Sequence, residues 1–203
     1  MVASSVVGVA ITSCLLTGIF FIPLFRSIAY RYRILDVPDG ILKKHTQPVA
    51  YLGGVAVFFG AFISFFLWSS CPFNNKAAFF LGSLFLLLLG LLDDMLPIKP
   101  WQKFFGQGLA CMFFLYAGLI LDISALYKYF PFLVRYPFLS NMFATLISCW
   151  WMLTVINAFN LIDIMDGLAA VLAGISCIAF SIFALSQGVW WLVLLLISML
   201  ASL

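Results

Sequence analysis

Ala77-Ala78-Phe79-Phe80-Leu81-Gly82-Ser83-Leu84-Phe85-Leu86-Leu87-Leu88-Leu89-Gly90-Leu91-Leu92 runs without a charged residue and stops at Asp93-Asp94. An apolar run of that length reads as a helix buried in lipid, with the paired acids marking its end at water. The rest of the chain repeats the pattern. With 66% hydrophobic and 8% charged residues and a mean hydropathy of +1.20, 203 residues cannot hide so much apolar surface in a soluble domain. The composition therefore makes an integral membrane protein. The apolar runs are long, and the strict alternation of barrel strands is missing, so the fold class is all-α: a polytopic helical bundle.

Outward from that stretch, the pattern predicts about seven transmembrane helices. They fall at about 3–25, 51–69, 77–92, 104–121, 141–162 and 167–186, with a last one beginning near Val189. The whole of 1–203 reads as a single transmembrane catalytic domain. The final helix has roughly fifteen apolar residues before Leu203, short of the ~20 of a span, so the sequence is expected to be truncated. Segment one has no basic residue before Arg26 and is too long for a signal core, so it is expected to be retained, with the N-terminus outside. Arg26, Arg31, Arg33, Lys43 and Lys44 then make the first loop cytoplasmic, and Lys99 and Lys103 do the same for the second. Lys76, Lys128 and Arg135 are left for the outer side. The aromatic and proline residues between about 122 and 140 suit a segment lying in the outer interface. The five cysteines show no metal or disulfide spacing and read as small apolar residues.

This topology has a consequence for the acids. The chain has no Glu, and Asp36, Asp39, Asp93, Asp94, Asp163 and Asp166 all fall on the inner side, leaving only Asp122 outside. Carboxylates gathered beside a basic loop suit Mg²⁺ together with anionic phosphates. The strongest constellation is Asn157-Ala158-Phe159-Asn160-Leu161-Ile162-Asp163-Ile164-Met165-Asp166-Gly167. Its Asn157, Asn160, Asp163 and Asp166 recur at three-residue steps and form a slanted polar stripe on a helix. Ionised Asp costs about 2.5–3.5 kcal/mol at a bilayer centre, so the stripe should end a helix at water or line a wet cavity. A helix cap would account for one such residue, not four.

Asp93 and Asp94 diverge by about 100° on a helix and cannot easily chelate one ion together. They can divide metal binding and proton transfer. As acids at a helix C-terminus they oppose the macrodipole, so a compensating group is expected. Read plainly, they are anchoring charges. In the first loop, Lys43, Lys44 and His45 precede Gly53-Gly54, where a helix N-terminus is open to anions. Topology signals or lipid contacts are equally good readings of the two lysines.

Three stretches together resemble the polyprenyl-phosphate N-acetylhexosamine-1-phosphate transferase superfamily: Asp36-Val37-Pro38-Asp39 through His45, Pro48 and Gly53-Gly54; Leu92-Asp93-Asp94 through Lys103; and Asn157 to Asp163 with Asp166-Gly167-Leu168-Ala169. The first loop looks more like the branch that starts O-antigen and teichoic acid polymers than the phospho-N-acetylmuramoyl-pentapeptide branch. The resemblance implies transfer of a sugar 1-phosphate from a UDP-N-acetylhexosamine to undecaprenyl phosphate, releasing UMP. It implies Mg²⁺, with Mn²⁺ as a substitute, and an active site facing the cytoplasm in a bacterial inner membrane. Under it, Asp93 and Asp94 are the catalytic and metal-binding residues. Asn157, Asn160, Asp163 and Asp166 hold the nucleotide side, and Lys43, Lys44 and His45 meet the diphosphate. The expected partners are these substrates and membrane lipids, with no nucleic acid and a homodimer as the candidate assembly.

The sequence departs from the family at Ile164, usually Gly, and it stops before the family's later Asp and His-rich loop. An inactive fragment is therefore one alternative. A CDP-alcohol phosphotransferase is another, weakened because Leu168-Ala169-Ala170 follows Asp166-Gly167 where an Arg belongs. A divalent-cation carrier is the third, and it should place acids near mid-membrane.

Overall fold

A computed structural model describes residues 2–36, 49–68, 76–96, 98–162 and 167–203. The predicted helices are present, with revised ends. The first is continuous over Ser4–Tyr32. It comprises α1 (Val2–Leu15), a π-helical stretch (Leu16–Phe21) and α2 (Ile22–Tyr32). Pro23 opens α2 and has no N–H to give the preceding turn, which accounts for the widened turn just before it. Arg26 and Arg31 thus lie on the helix, not in the loop expected after residue 25. Long basic side chains carry their charge to the polar boundary along apolar stems, so they need not end a helix. Arg33 ends it in the left-handed conformation, φ 57°, with its N–H on the Ala29 carbonyl.

Then follow a two-residue antiparallel pair, β1 (Leu35–Asp36) and β2 (Val49–Ala50), and α3 (Gly53–Trp68). Next come α4 (Lys76–Met95), α5 (Pro100–Tyr116), a 3-10 turn (Ser124–Lys128) and the short α6 (Phe132–Arg135). The chain ends with α7 (Pro137–Ile162), α8 (Leu168–Ser186) and α9 (Trp190–Ser202). Among the described residues, four helices are long and apolar enough to cross a membrane: Ser4–Tyr32, Ala77–Met95, Pro137–Ile162 and Leu168–Ser186. Gly53–Trp68 and Trp190–Ser202 are shorter apolar helices. The protein is an all-α, multi-pass membrane protein.

The chain forms two compact units, Met1–Cys71 with Met165–Leu203, and Pro72–Ile164. In the first, α1, α3 and α9 pack on one another and α8 packs on α9. Small residues allow this closeness, as is usual between helices in lipid. In the second, α5 packs against both α4 and α7, and the 3-10 turn and α6 fold back toward α7. Ile123 and Leu133 bury themselves there with Ala144 of α7, packed by Leu126, Tyr127 and Ile147. The stretch expected to lie in the outer interface is folded against α7 in the second unit.

Candidate active site

The described candidate residues Asp93, Asp94, Asn157 and Asn160 lie in the second unit, on the helices that α5 packs against. Helix α4 runs one turn past the predicted stop, to Met95, so Asp93 and Asp94 sit on its last turn. Its chain reverses through Ile98 and Lys99. Pro100 starts α5 four residues earlier than predicted, because proline at the first helical position costs no hydrogen bond. The Lys99 N–H donates to the Gln102 side-chain oxygen, 2.9 Å, which fixes that turn. Lys103 is therefore on the helix, on its first turn.

There the Lys103 ammonium pairs with Asp93 Oδ2. This is the compensating group that the unfavourable macrodipole demands. At 24% and 28% exposed, the two side chains are half-buried, so the pair fixes geometry more than it stabilises, worth on the order of 1 kcal/mol. Close packing brings α4 within its reach. A Cβ on Gly106 would lie 2.9 Å from the Leu89 methyls, too close for any other residue at that position without a shift. Asp94 is exposed on the same turn.

One turn further along α5 from Lys103 comes Gln107, 1% exposed. Its Oε1 accepts from Asn157 Nδ2 on α7 at 2.8 Å, and its Nε2 donates to Asn157 Oδ1 at 3.4 Å. Asn157 Nδ2 also donates to the Leu153 carbonyl at 2.8 Å. A reciprocal amide pair satisfies both groups where lipid and protein offer no water. On α5, residues four apart share a face. One face of one helix thus holds an acid of α4 with Lys103 and the first Asn of the stripe with Gln107.

The next stripe residue, Asn160, is exposed and donates Nδ2 to the Ile156 carbonyl at 3.0 Å, leaving its Oδ1 without a partner among the described residues. Asp163, Asp166, Lys43, Lys44 and His45 lie outside the described residues. Gly167 turns into α8 with φ 76°, a left-handed conformation suited to glycine. Among the described residues, no three His, Cys, Asp or Glu side chains gather closely enough to hold a metal ion.

Sequence reasoning singled out Asp93, Asn157 and Asn160 but not Gln107, the partner of Asn157. The signal was available: a single amide inside the apolar run Phe104–Phe114 must find a partner, and it lies four residues after Lys103.

In this helical membrane unit an acid ending one helix and an amide on another are thus joined through a third. Residues 76–203, which include the whole described site, match the model of glycosyl transferase family 4, and the chain belongs to that family. It is 29% identical over 180 residues to a probable undecaprenyl-phosphate N-acetylglucosaminyl 1-phosphate transferase of Bacillus subtilis, covering 89% of this chain and 49% of that protein. Over 162 residues it is 30% identical to an undecaprenyl-phosphate alpha-N-acetylglucosaminyl 1-phosphate transferase of Yersinia pestis, covering 79% and 41%. A phospho-N-acetylmuramoyl-pentapeptide-transferase of Borrelia garinii is 32% identical over 146 residues, covering 63% and 40%. The chain thus spans about half the length, or less, of these relatives. No solved structure gives a significant match.

Proposed function

We propose that the protein transfers the N-acetylhexosamine 1-phosphate of a UDP-sugar to undecaprenyl phosphate at the cytoplasmic membrane face, releasing UMP and starting a cell-envelope polysaccharide. The observation that carries this reading is the double grip of α5, which holds Asp93 through Lys103 and Asn157 through Gln107. Family membership and the names of the Bacillus and Yersinia proteins support the reaction class.

In this reading Lys103 holds Asp93 turned in one direction, and Asp94 faces outward from the same turn toward the lipid phosphate. A hard carboxylate of the Asp93-Asp94 pair suits Mg²⁺, or Mn²⁺ in its place, since Mg²⁺ commonly takes one or two carboxylates and completes its sphere with substrate phosphates and water, and the two acids would divide metal binding and proton transfer. When bound, the ion supplies charge neutralisation on the diphosphate. Gln107 fixes the helix that carries the stripe, and the Asn160 Oδ1 is available to accept a hydrogen bond from the nucleotide. Asp163, Asp166, Lys43, Lys44 and His45 are assigned to the nucleotide and diphosphate. The placement of Asp93 and Asp94 on a final turn favours a transferase over a cation carrier, whose acids belong at mid-membrane.

Membranes containing the full-length protein should release UMP from a UDP-N-acetylhexosamine only with undecaprenyl phosphate and Mg²⁺ both present. UMP release in the absence of the lipid would contradict the assignment.

A further inference from the structure

We propose that a cavity in the first unit, at the C-terminal end of α2, binds the phosphodiester headgroup of an anionic membrane lipid. None of its residues belongs to the acid and amide constellation, although Gly53 lies in the first-loop stretch that carries the family resemblance.

The cavity has a volume of 360 Å³, within the range of small-ligand pockets, and is lined by Ile22, Phe25, Arg26, Val49, Gly53 and Ala56 among others. Among the described residues, Arg26 is its only charged lining residue. The guanidinium lies 5.8 Å from the centroid of the Tyr30 ring, one turn on, and among the described residues it has no carboxylate partner. The guanidinium is exposed, with a ring and apolar walls beside it, and open to an anion.

Depth selects the kind of anion. The helix Ser4–Tyr32 has 29 residues, about 43 Å at 1.5 Å per residue, against a hydrocarbon core of about 30 Å. Centred in the core, it projects about 6 Å at each end, and Arg26, six residues before Tyr32, falls about 3 Å inside the hydrocarbon edge. Its long side chain reaches up to the level of lipid phosphates. The first turn of α3 opens on the same cavity through Leu52, Gly53 and Ala56; its Ala56 N–H donates to the Leu52 carbonyl at 3.3 Å, and the N–H groups of Gly53, Gly54 and Val55 have no partner within the helix. Nothing lies within 4 Å of where a Cβ on Gly53 or Gly54 would be, so a phosphate oxygen can approach that backbone.

The charge and the walls narrow the ligand further. The one cation among the described lining residues balances a phosphodiester with a single negative charge better than a phosphomonoester carrying about −1.5 to −2. Phe25 stacks on Phe21 and Phe59 at 6.0 Å each, and Phe21 and Phe59 lie 5.9 Å apart, giving a rigid apolar wall for an acyl chain.

The test places the full-length protein in phosphatidylcholine nanodiscs with increasing phosphatidylglycerol and counts lipids retained after extraction by native mass spectrometry. The expected result is one phosphatidylglycerol held saturably per chain, with Arg26→Gln weakening retention by at least about tenfold. Arg31→Gln and Arg33→Gln remove the same charge outside the cavity and should change retention less than about threefold. Gly53→Leu fills the cavity from an open position while keeping Arg26, and should also lose the lipid; it decides the matter if the Arg26 variant does not insert. Unchanged retention in Arg26→Gln overturns the proposal. So does displacement by inorganic phosphate, which would mean a soluble anion, or retention of undecaprenyl phosphate in preference to phosphatidylglycerol, which would mean an acceptor site.

Discussion

The two units bury polar side chains in opposite ways. In the first, the hydroxyls of Ser13, Thr17, Ser64, Ser181 and Ser202 are buried with no hydrogen-bond partner among the described residues, and only Ser198 of the buried hydroxyls there is bonded, to the Leu195 carbonyl at 2.7 Å. In the second, every buried polar side chain among the described residues is engaged. Gln107 is paired with Asn157, Ser140 Oγ lies 2.9 Å from the Tyr127 hydroxyl, and Ser148 accepts from the Leu121 N–H at 2.8 Å and donates to the Ala144 carbonyl. The difference separates two uses of polarity in lipid. Small hydroxyls in the first unit are there for their size, letting helices approach, and the hydrogen bond is incidental. In the second unit the hydrogen bonds hold particular atoms in place, and that is what a reaction site needs.

The sharpest way to break the comparison is to remove function from the second unit without removing structure. Asp94→Asn is isosteric and exposed, so the protein should insert normally while UMP release falls by about 10²–10⁴-fold, the range for losing a proton-transfer or charge-bearing group. Lipid-dependent release at the wild-type rate would take the acid pair out of the mechanism. Lys103→Met keeps the apolar stem but frees Asp93, and about 10²-fold in kcat is expected from the lost orientation, with stability changed by less than about 1 kcal/mol.

Gln107→Leu comes next in size. It leaves Asn157 Nδ2 on the Leu153 carbonyl but strands Oδ1, so about 1–3 kcal/mol of stability should go. Exchanging the two residues, Gln107→Asn with Asn157→Gln, restores a reciprocal pair and should recover most of the loss. A double-mutant cycle measures the coupling, and additive single effects would show that the pair is not one unit.

How much of this was legible in the chain differs between residues for physical reasons. The apolar run before Asp93-Asp94 declared its helix because lipid tolerates few alternatives, and its end was misplaced by only one turn. The stripe from Asn157 was legible through its spacing. Gln107 was not, because one amide in an apolar run has no periodicity, and its meaning comes only from the partner fifty residues away. The widened turn before Pro23 was equally hidden, since proline breaks, kinks or widens a helix depending on its neighbours. Arg26 misled in the other direction. Its charge read as the end of the span, yet a guanidinium on a long stem stays in the helix and reaches the boundary from within.

The smallest expected effect tests the first unit's half of the comparison. Ser64 is wholly buried on α3 and its hydroxyl has no acceptor, so Ser64→Ala removes an atom that makes no bond while keeping nearly the same volume. Losing an unsatisfied polar group should leave stability unchanged or raise it by up to about 1 kcal/mol. Ser148→Ala in the second unit has the same chemistry but strands the Leu121 N–H, and should cost about 1 kcal/mol or more. Opposite signs for one substitution at two buried serines would show that the units differ in what polarity is for. A comparable loss at Ser64 would mean that its hydroxyl has a partner in the membrane, and the first unit would then have to be read as polar machinery too.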